Sequence, residues 1–435
     1  MLPACAGSGN RVALPTFVPA PAQSAWGVGR YVKHVVIVVQ ENRSFDNFFH
    51  AFPGADAARS GVSHTGASVA LHEVPLASAD VWHDWKNAID EWNGGRMNGF
   101  DLDPVVASGA PAGAFAYSYV SKKDLAPYWT LASEYVLADH MFPTEFGPSF
   151  TGHLSLIAGT DDLNPQLAEA DGPDNEPWGC DAPPGTVTSE IDMQRRESNG
   201  PFPCFTQFRT LADSLDAAHL SWRYYAPPLF SGGNGGIWSE FDAIRNVRFG
   251  HDWKNVIAPQ TRFLTDARRG ALANVSWVIP DAADSDHAGG NNVGGPSWVA
   301  NVVNAVGEGP DWNTTAIVVV WDDWGGWYDH VPPPQLDFRG LGIRVPCIIV
   351  SPYAKSHYVS HTVYEFGSIV RFVEEAFGLS ALGTVAEGYT DARARSLGDS
   401  FDFHQKPRTF APIPAPRGAR YFLTRPPSYQ APDNE

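Results

Sequence analysis

The sequence predicts an α/β fold, doubly wound, with a mostly parallel central sheet and helices on both faces. Three observations predict it. Apolar, β-branched runs of strand length recur along the chain, each passes into polar or turn residues, in three of the four with carboxylates, and helical patterns follow them. Parallel strands joined by crossover helices leave this trace, because such strands are buried on both faces.

The first run, residues 31–39, ends in Gln40-Glu41-Asn42-Arg43-Ser44-Phe45-Asp46. At 144–159 a Gly147-Pro148 loop opens a short apolar helix that Gly159 closes, with Ser149 at its start. Residues 275–279 run through Pro280 to Asp281, Asp284, Asp286 and His287. Residues 316–321 end in Asp322-Asp323-Trp324-Gly325-Gly326. Residues 345–350 end in Ser351-Pro352-Tyr353, and a helix over 368–377 follows. In open α/β sheets ligands bind beyond the carboxyl ends of the strands, so all four strand runs are expected to deliver their polar ends to one site. The organisation expected is a Pro-rich lead at 1–27, one domain at 28–404 and a Pro-rich wrapping tail at 405–435. Residues 165–205 are read as a loop excursion.

At 435 residues, 43% hydrophobic and 12% aromatic, the chain can bury a large core, which excludes disorder for its bulk. Thirty basic against 48 acidic residues give a net charge of -18, which argues against nucleic acid as a partner. A phosphate substrate therefore needs local positive charge, which a metal ion, a helix N-terminus or histidines can supply. Among four cysteines, Cys180 and Cys204 flank one Pro/Gly/Asp-rich stretch and are expected to be bridged, the alternative being two free thiols. A bridge implies a secreted or periplasmic protein. No run of ~18 apolar residues could span a membrane. Residues 1–10 lack the regions of a signal peptide, although Leu2-Pro3-Ala4-Cys5 faintly resembles a lipoprotein cleavage site.

Glu41-Asn42 and Asp322-Asp323 are oxygen-rich pairs at strand ends and suit one hard or borderline divalent cation. Acidic residues after strands are common, but clustered carboxylates without a cation would repel and raise one another's pKa. Ser149 has two readings: it caps its helix, or it is a nucleophile favoured by the helix N-terminus and activated by a metal. His83, His287, His330 and His361 lie beside loop residues and suit phosphate contacts or acid catalysis, or structural hydrogen bonds. The chain has no Gly-x-Ser-x-Gly elbow, no phosphate loop ending in Gly-Lys and no His-Glu-x-x-His. Their absence argues against lipase-type, P-loop and zincin chemistry.

Taken together, His34 to Asp46 and Trp321-Asp322-Asp323-Trp324-Gly325-Gly326-Trp327-Tyr328-Asp329-His330-Val331-Pro332-Pro333-Pro334 resemble the bacterial phosphoesterase family of non-specific phospholipases C and acid phosphatases. Residues 96–101, 137–142, 286–289 and 351–355 support the resemblance, which spans most of the chain. It implies an alkaline phosphatase-like core and a metal held by Glu41, Asn42, Asp322 and Asp323. It also implies Ser149 as nucleophile, His153 as the basic residue that follows the nucleophile, and His83, His287 and His361 as phosphate-binding or proton-donating groups. Phospholipase members usually carry Asp-Glu and Thr where this chain has Asp322-Asp323 and Ser149, so both departures lean towards acid phosphatases. Trp82, Trp85, Trp92, Trp324 and Trp327 could contact a choline-like head group or transiently a membrane surface, or simply pack in the core. The expected substrate is a phosphate-ester small molecule or a phospholipid. The rival readings are another phosphoryl or sulfuryl transferase and a catalytically silent, metal-stabilised binding protein.

Overall fold

The computed structural model describes residues 27–229, 239–290 and 293–429. The Pro-rich lead and the lipoprotein-like start at Cys5 lie outside the described residues, apart from Gly27. The sheet strands are β1 (His34–Gln40), β2 (Val136–Phe142), β3 (Trp222–Tyr225), β4 (Val256–Ile257), β5 (Val275–Val278), β6 (Thr315–Trp321), β7 (Val345–Val350), β8 (Tyr358–Ser360) and β9 (Tyr364–Glu365). They form one sheet in the order β4-β3-β5-β1-β6-β7-β2-β8, with β9 also pairing with β2.

Val35 to Val39 and Ala316 to Trp321 are buried at every position, so both faces of the sheet are covered there. Each such Val or Ile removed from water contributes about 1.5–3 kcal/mol, and β-branching makes the extended form the cheaper way to bury it. Two helix pairs pack on the sheet, α1 (Ala126–Glu134) against α3 (Gly295–Gly307) and α2 (Ser149–Ala158) against α4 (Phe366–Phe377). The mixed α/β fold and all four expected strands are present, with ends shifted by at most a few residues.

One expectation is corrected. Strand β7 runs antiparallel to both β6 and β2, so its carboxyl end points away from the ends of β1, β5 and β6. Ser351 accordingly donates to the carbonyl of Thr315, at the start of β6. The physical reason is the long polar connection 322–344, which returns across the carboxyl edge without a crossover helix. A second difference concerns residues 165–205, where a loop excursion was expected. The strands Asp162–Asn164, Leu167–Asp171, Ser189–Asp192 and Glu197–Asn199 form an antiparallel sheet there. Buried Glu169 among buried alanines disguises the alternation that would have revealed it. Cys180 and Cys204 are disulfide-bonded, with Cα atoms 4.4 Å apart.

The tail crosses α3, where Asn301 and Asn304 donate to the carbonyls of Arg417 and Ile413. Arg425 ends it on Asp281 and Asp284 in the loop after β5.

Arg344 ties the carboxyl edge together. Fully buried, it donates from Nε to both oxygens of Asp329 (3.0 and 3.1 Å) and from Nη1 to the carbonyls of Asp139 and Asp56, with Nη2 3.4 Å from Asp46. Removing one partner of such a buried set leaves uncompensated charge. Arg344→Met is expected to lose about 3–5 kcal/mol of stability in denaturant titration.

Candidate active site

Register builds the site. In the parallel pair β1/β6, Gln40 lies opposite Trp321, so Glu41-Asn42 and Asp322-Asp323 leave the sheet side by side. The backbone locks them there: Asp322 N–H donates to Gln40 O (3.0 Å), Arg43 N–H to Asp323 O (3.0 Å) and Asn42 N–H to Asp322 Oδ1 (3.1 Å). Asn42 takes a left-handed backbone (φ 53°), which asparagine tolerates better than most residues. Gly325 is required opposite it, because a Cβ would lie 2.2 Å from Asn42 O.

The third contribution is α2. Pro148 occupies its N-cap position without a side-chain cap bond, and Gly159 closes it in a left-handed conformation. Ser149 is therefore the first residue of the helix and not its cap. Its Oγ lies 3.1 Å from Asp323 Oδ2 and 3.4 Å from both Glu41 Oε2 and Asn42 Oδ1. One turn on, His153 Nε2 is 2.9 Å from Glu41 Oε1 and 3.4 Å from Asp322 Oδ2. The helix can approach this closely because of Gly152, where a Cβ would lie 2.6 Å from Asp322 O. Gly152→Ala must push α2 off the strand ends. A displacement of ~1 Å is expected to reduce kcat on the order of 10²-fold in steady-state assays, with a stability loss of about 1–3 kcal/mol.

Three carboxylates, of Glu41, Asp322 and Asp323, are thus buried together, and His153 is the basic side chain placed among them. Burial pushes Asp322 up, yet His153 more than offsets this and holds it at about 2. Asp322 Oδ2 is buried and faces His153 Nε2 at 3.4 Å. Glu41, His153 and Asp322 can each turn a ligand atom to within 4.8 Å of the others. Three carboxylates buried together, with Asn42 Oδ1 and Ser149 Oγ adjoining, fit a divalent cation with oxygen ligands. His153 adds a nitrogen that the sequence reading placed only as a basic neighbour.

Two of the expected histidines converge here. His83 donates from Nδ1 to Val81 O (2.7 Å), so its Nε2 accepts from Asn42 Nδ2 (2.6 Å) and faces Asp323 Oδ1 at 4.0 Å. The His287 ring stands 5.9 Å from that of His83. Its loop is held by Asp286, which accepts from Tyr128 Oη (2.6 Å) and Trp321 Nε1 (3.0 Å) and whose carbonyl accepts from Arg43 Nε (2.8 Å). Sequence reading missed this brace; Arg43 beside Glu41-Asn42 was its visible sign. His361 is placed elsewhere, its Nδ1 2.8 Å from Asp139 Oδ2, because β8 pairs with β2 and carries the residue to the flank of the sheet. His330 is likewise held at a distance, with Nδ1 2.6 Å from Asp46 Oδ2.

The tryptophans resolve towards packing. Trp324 and Trp327 are fully buried, Trp324 donating to Glu91 and Trp327 lying under the Arg43 guanidinium. Neither presents a face to a head group, whereas Trp82 and Trp92 are half-buried.

The sequence profile of the Phosphoesterase family matches residues 32–380, a stretch that includes every site residue described above. The chain belongs to the Phosphoesterase family. It is similar to a protein named non-hemolytic phospholipase C from Pseudomonas aeruginosa, with 26% identity over 84% of this chain and 57% of the relative. It is also similar to a protein named phospholipase C B from Mycobacterium tuberculosis, with 24% identity over 88% of this chain and 80% of that protein. The chain thus spans little more than half the length of the Pseudomonas relative. Among solved structures, a protein in the alkaline phosphatase superfamily from Vibrio parahaemolyticus aligns over 89% of this chain and 74% of its own, at 12% identity and a TM-score of 0.42. Among the described residues, no helix is long and apolar enough to cross a membrane.

Proposed function

We propose that this protein is a secreted or periplasmic, metal-dependent phosphoric-ester hydrolase of the phospholipase C/acid phosphatase type, working through a phosphoserine intermediate on Ser149. The observation that carries the reading is the placement of Ser149 Oγ: at the start of a buried helix and 3.1–3.4 Å from the side chains of Asp323, Glu41 and Asn42. Relatives named phospholipase C support the reaction class, and the Cys180–Cys204 bridge supports export.

Glu41, Asn42, Asp322 and Asp323, joined by His153, would hold the cation. When bound, a divalent ion there lowers the pKa of the Ser149 hydroxyl and neutralises phosphate charge. The N-terminus of α2, where Ser149 sits, would favour the negative charge of the same phosphate. Ser149 gives up its proton towards Asp323, the nearest carboxylate, and Oγ attacks phosphorus in line with the leaving alcohol. The Oγ–P bond forms as the P–O bond to the alcohol breaks, and His287 protonates the departing oxygen. His83, fixed by Val81 O, steadies Asn42 and the phosphate side of the pocket. Water then attacks the phosphoserine and restores the hydroxyl. With phosphatidylcholine the leaving alcohol is diacylglycerol and the serine transiently carries phosphocholine.

Hydrolysis of an aryl phosphomonoester and of phosphatidylcholine by one preparation, across pH and with and without chelator, tests the reading. Turnover of either that chelator abolishes supports it, with the faster substrate deciding between phosphatase and phospholipase. No turnover of any phosphate ester would contradict it and favour a silent binding protein.

A further inference from the structure

In β2 and just after β8, three side chains face one another with no role in the chemistry above. Asp139 and His140 sit in β2, and His361 follows β8, which pairs with it. The Asp139 carboxylate is fully buried, and each of its oxygens meets an imidazole: Oδ1 lies 2.7 Å from His140 Nδ1 and Oδ2 2.8 Å from His361 Nδ1. The three can offer ligand atoms that all lie within 4.8 Å of one another. On the far side of the His140 ring, Nε2 points at the Asp56 carboxylate at 3.4 Å.

We propose that Asp139, His140 and His361 form a second, peripheral binding site for a borderline divalent transition metal of the zinc type. Two imidazole nitrogens and one carboxylate oxygen are donors that such ions prefer over calcium or magnesium. The outer groups are arranged as metal-bound histidines require. Ligation through His140 Nδ1 places the ring proton on Nε2, where Asp56 accepts it, and a carboxylate behind a ligating histidine fixes its tautomer and orientation. Asp139 is held in turn: its Oδ2 accepts the Asp56 N–H at 2.8 Å, which joins the outer carboxylate's own backbone to the inner one. Tetrahedral zinc with bonds near 2.0–2.1 Å separates its donors by roughly 3.3 Å, so each imidazole must withdraw by about half an ångström from its contact with Asp139. His361 can do so freely, because its side chain is 60% exposed, and solvent supplies the fourth position. Three protein ligands with an open position make this an exchangeable surface site.

This site is independent of the reading of Ser149, and its test reads metal content rather than turnover. The full, untagged chain is stripped with chelator, loaded with a small excess of zinc, desalted and assayed for bound zinc per chain, alongside His361→Ala and His140→Ala/His361→Ala. The double variant is expected to retain one zinc fewer than wild type, and His361→Ala to bind the same zinc at least ten-fold more weakly by competition with a chromogenic chelator. Cobalt loaded in place of zinc should lose one visible absorption component in the double variant. Because His361 is exposed, the single variant keeps the fold, so equal zinc affinity and stoichiometry in wild type and His361→Ala would overturn the proposal.

Discussion

Ser149→Ala is expected to abolish phosphate-ester hydrolysis, by at least ~10³-fold in kcat, while leaving the thermal unfolding midpoint nearly unchanged. The two halves follow from different facts. Oγ is the atom that forms the covalent bond, so alanine leaves the metal, the helix N-terminus and the histidines with nothing to activate. It is not the cap of α2, whose N-cap is Pro148, so its removal costs no cap bond. A variant that retained wild-type turnover would remove Ser149 from the chemistry and return it to packing. A variant that lost both activity and stability would show that the hydroxyl serves the fold.

The second large effect belongs to Asp322→Asn. It removes one of three carboxylates buried together, including the oxygen that faces His153. Metal affinity and hydrolysis are expected to fall together, the latter by about 10²–10³-fold. Stability distinguishes a metal site from a loosely packed one. In wild type, a divalent ion at ~100 times its Kd adds about 2.7 kcal/mol, lost on adding chelator. In Asp322→Asn that increment should vanish. The metal-free variant should be less stable than metal-free wild type, because the ionised Asp322 that His153 and the Asn42 N–H favour is gone. Differential scanning calorimetry with and without chelator reads both quantities; an equal chelator effect in the two proteins would rule out Asp322 as a ligand.

Much of this architecture was legible in sequence where burial is two-sided. Val35 to Val39 and Ala316 to Val320 are apolar at every position because each face of the sheet is covered, so strand, class and the two strand-end acid pairs could be read from one pattern. Gly159 announced the end of α2 for a similarly local reason, the left-handed backbone that glycine adopts without strain. Direction was not legible. Residues 345–350 have the composition of a parallel strand and are antiparallel, because what reverses them is the path of a loop. The histidines show the same limit. His83 and His287 were separable from His361 only once pairing of β8 with β2 put His361 against Asp139. His153 was visible as the basic residue after Ser149, but its place between Glu41 and Asp322 depends on the approach that Gly152 permits.

The central claim is that a covalent bond forms to Ser149, and rapid chemical quench during turnover of an aryl phosphomonoester, followed by peptide mass spectrometry, tests it most directly. The account predicts one phosphoryl group on the peptide containing Ser149, present only while substrate is being consumed and absent in Ser149→Ala. Full turnover with no phosphorylated peptide at any quench time, or with the phosphoryl group on another side chain, would contradict it.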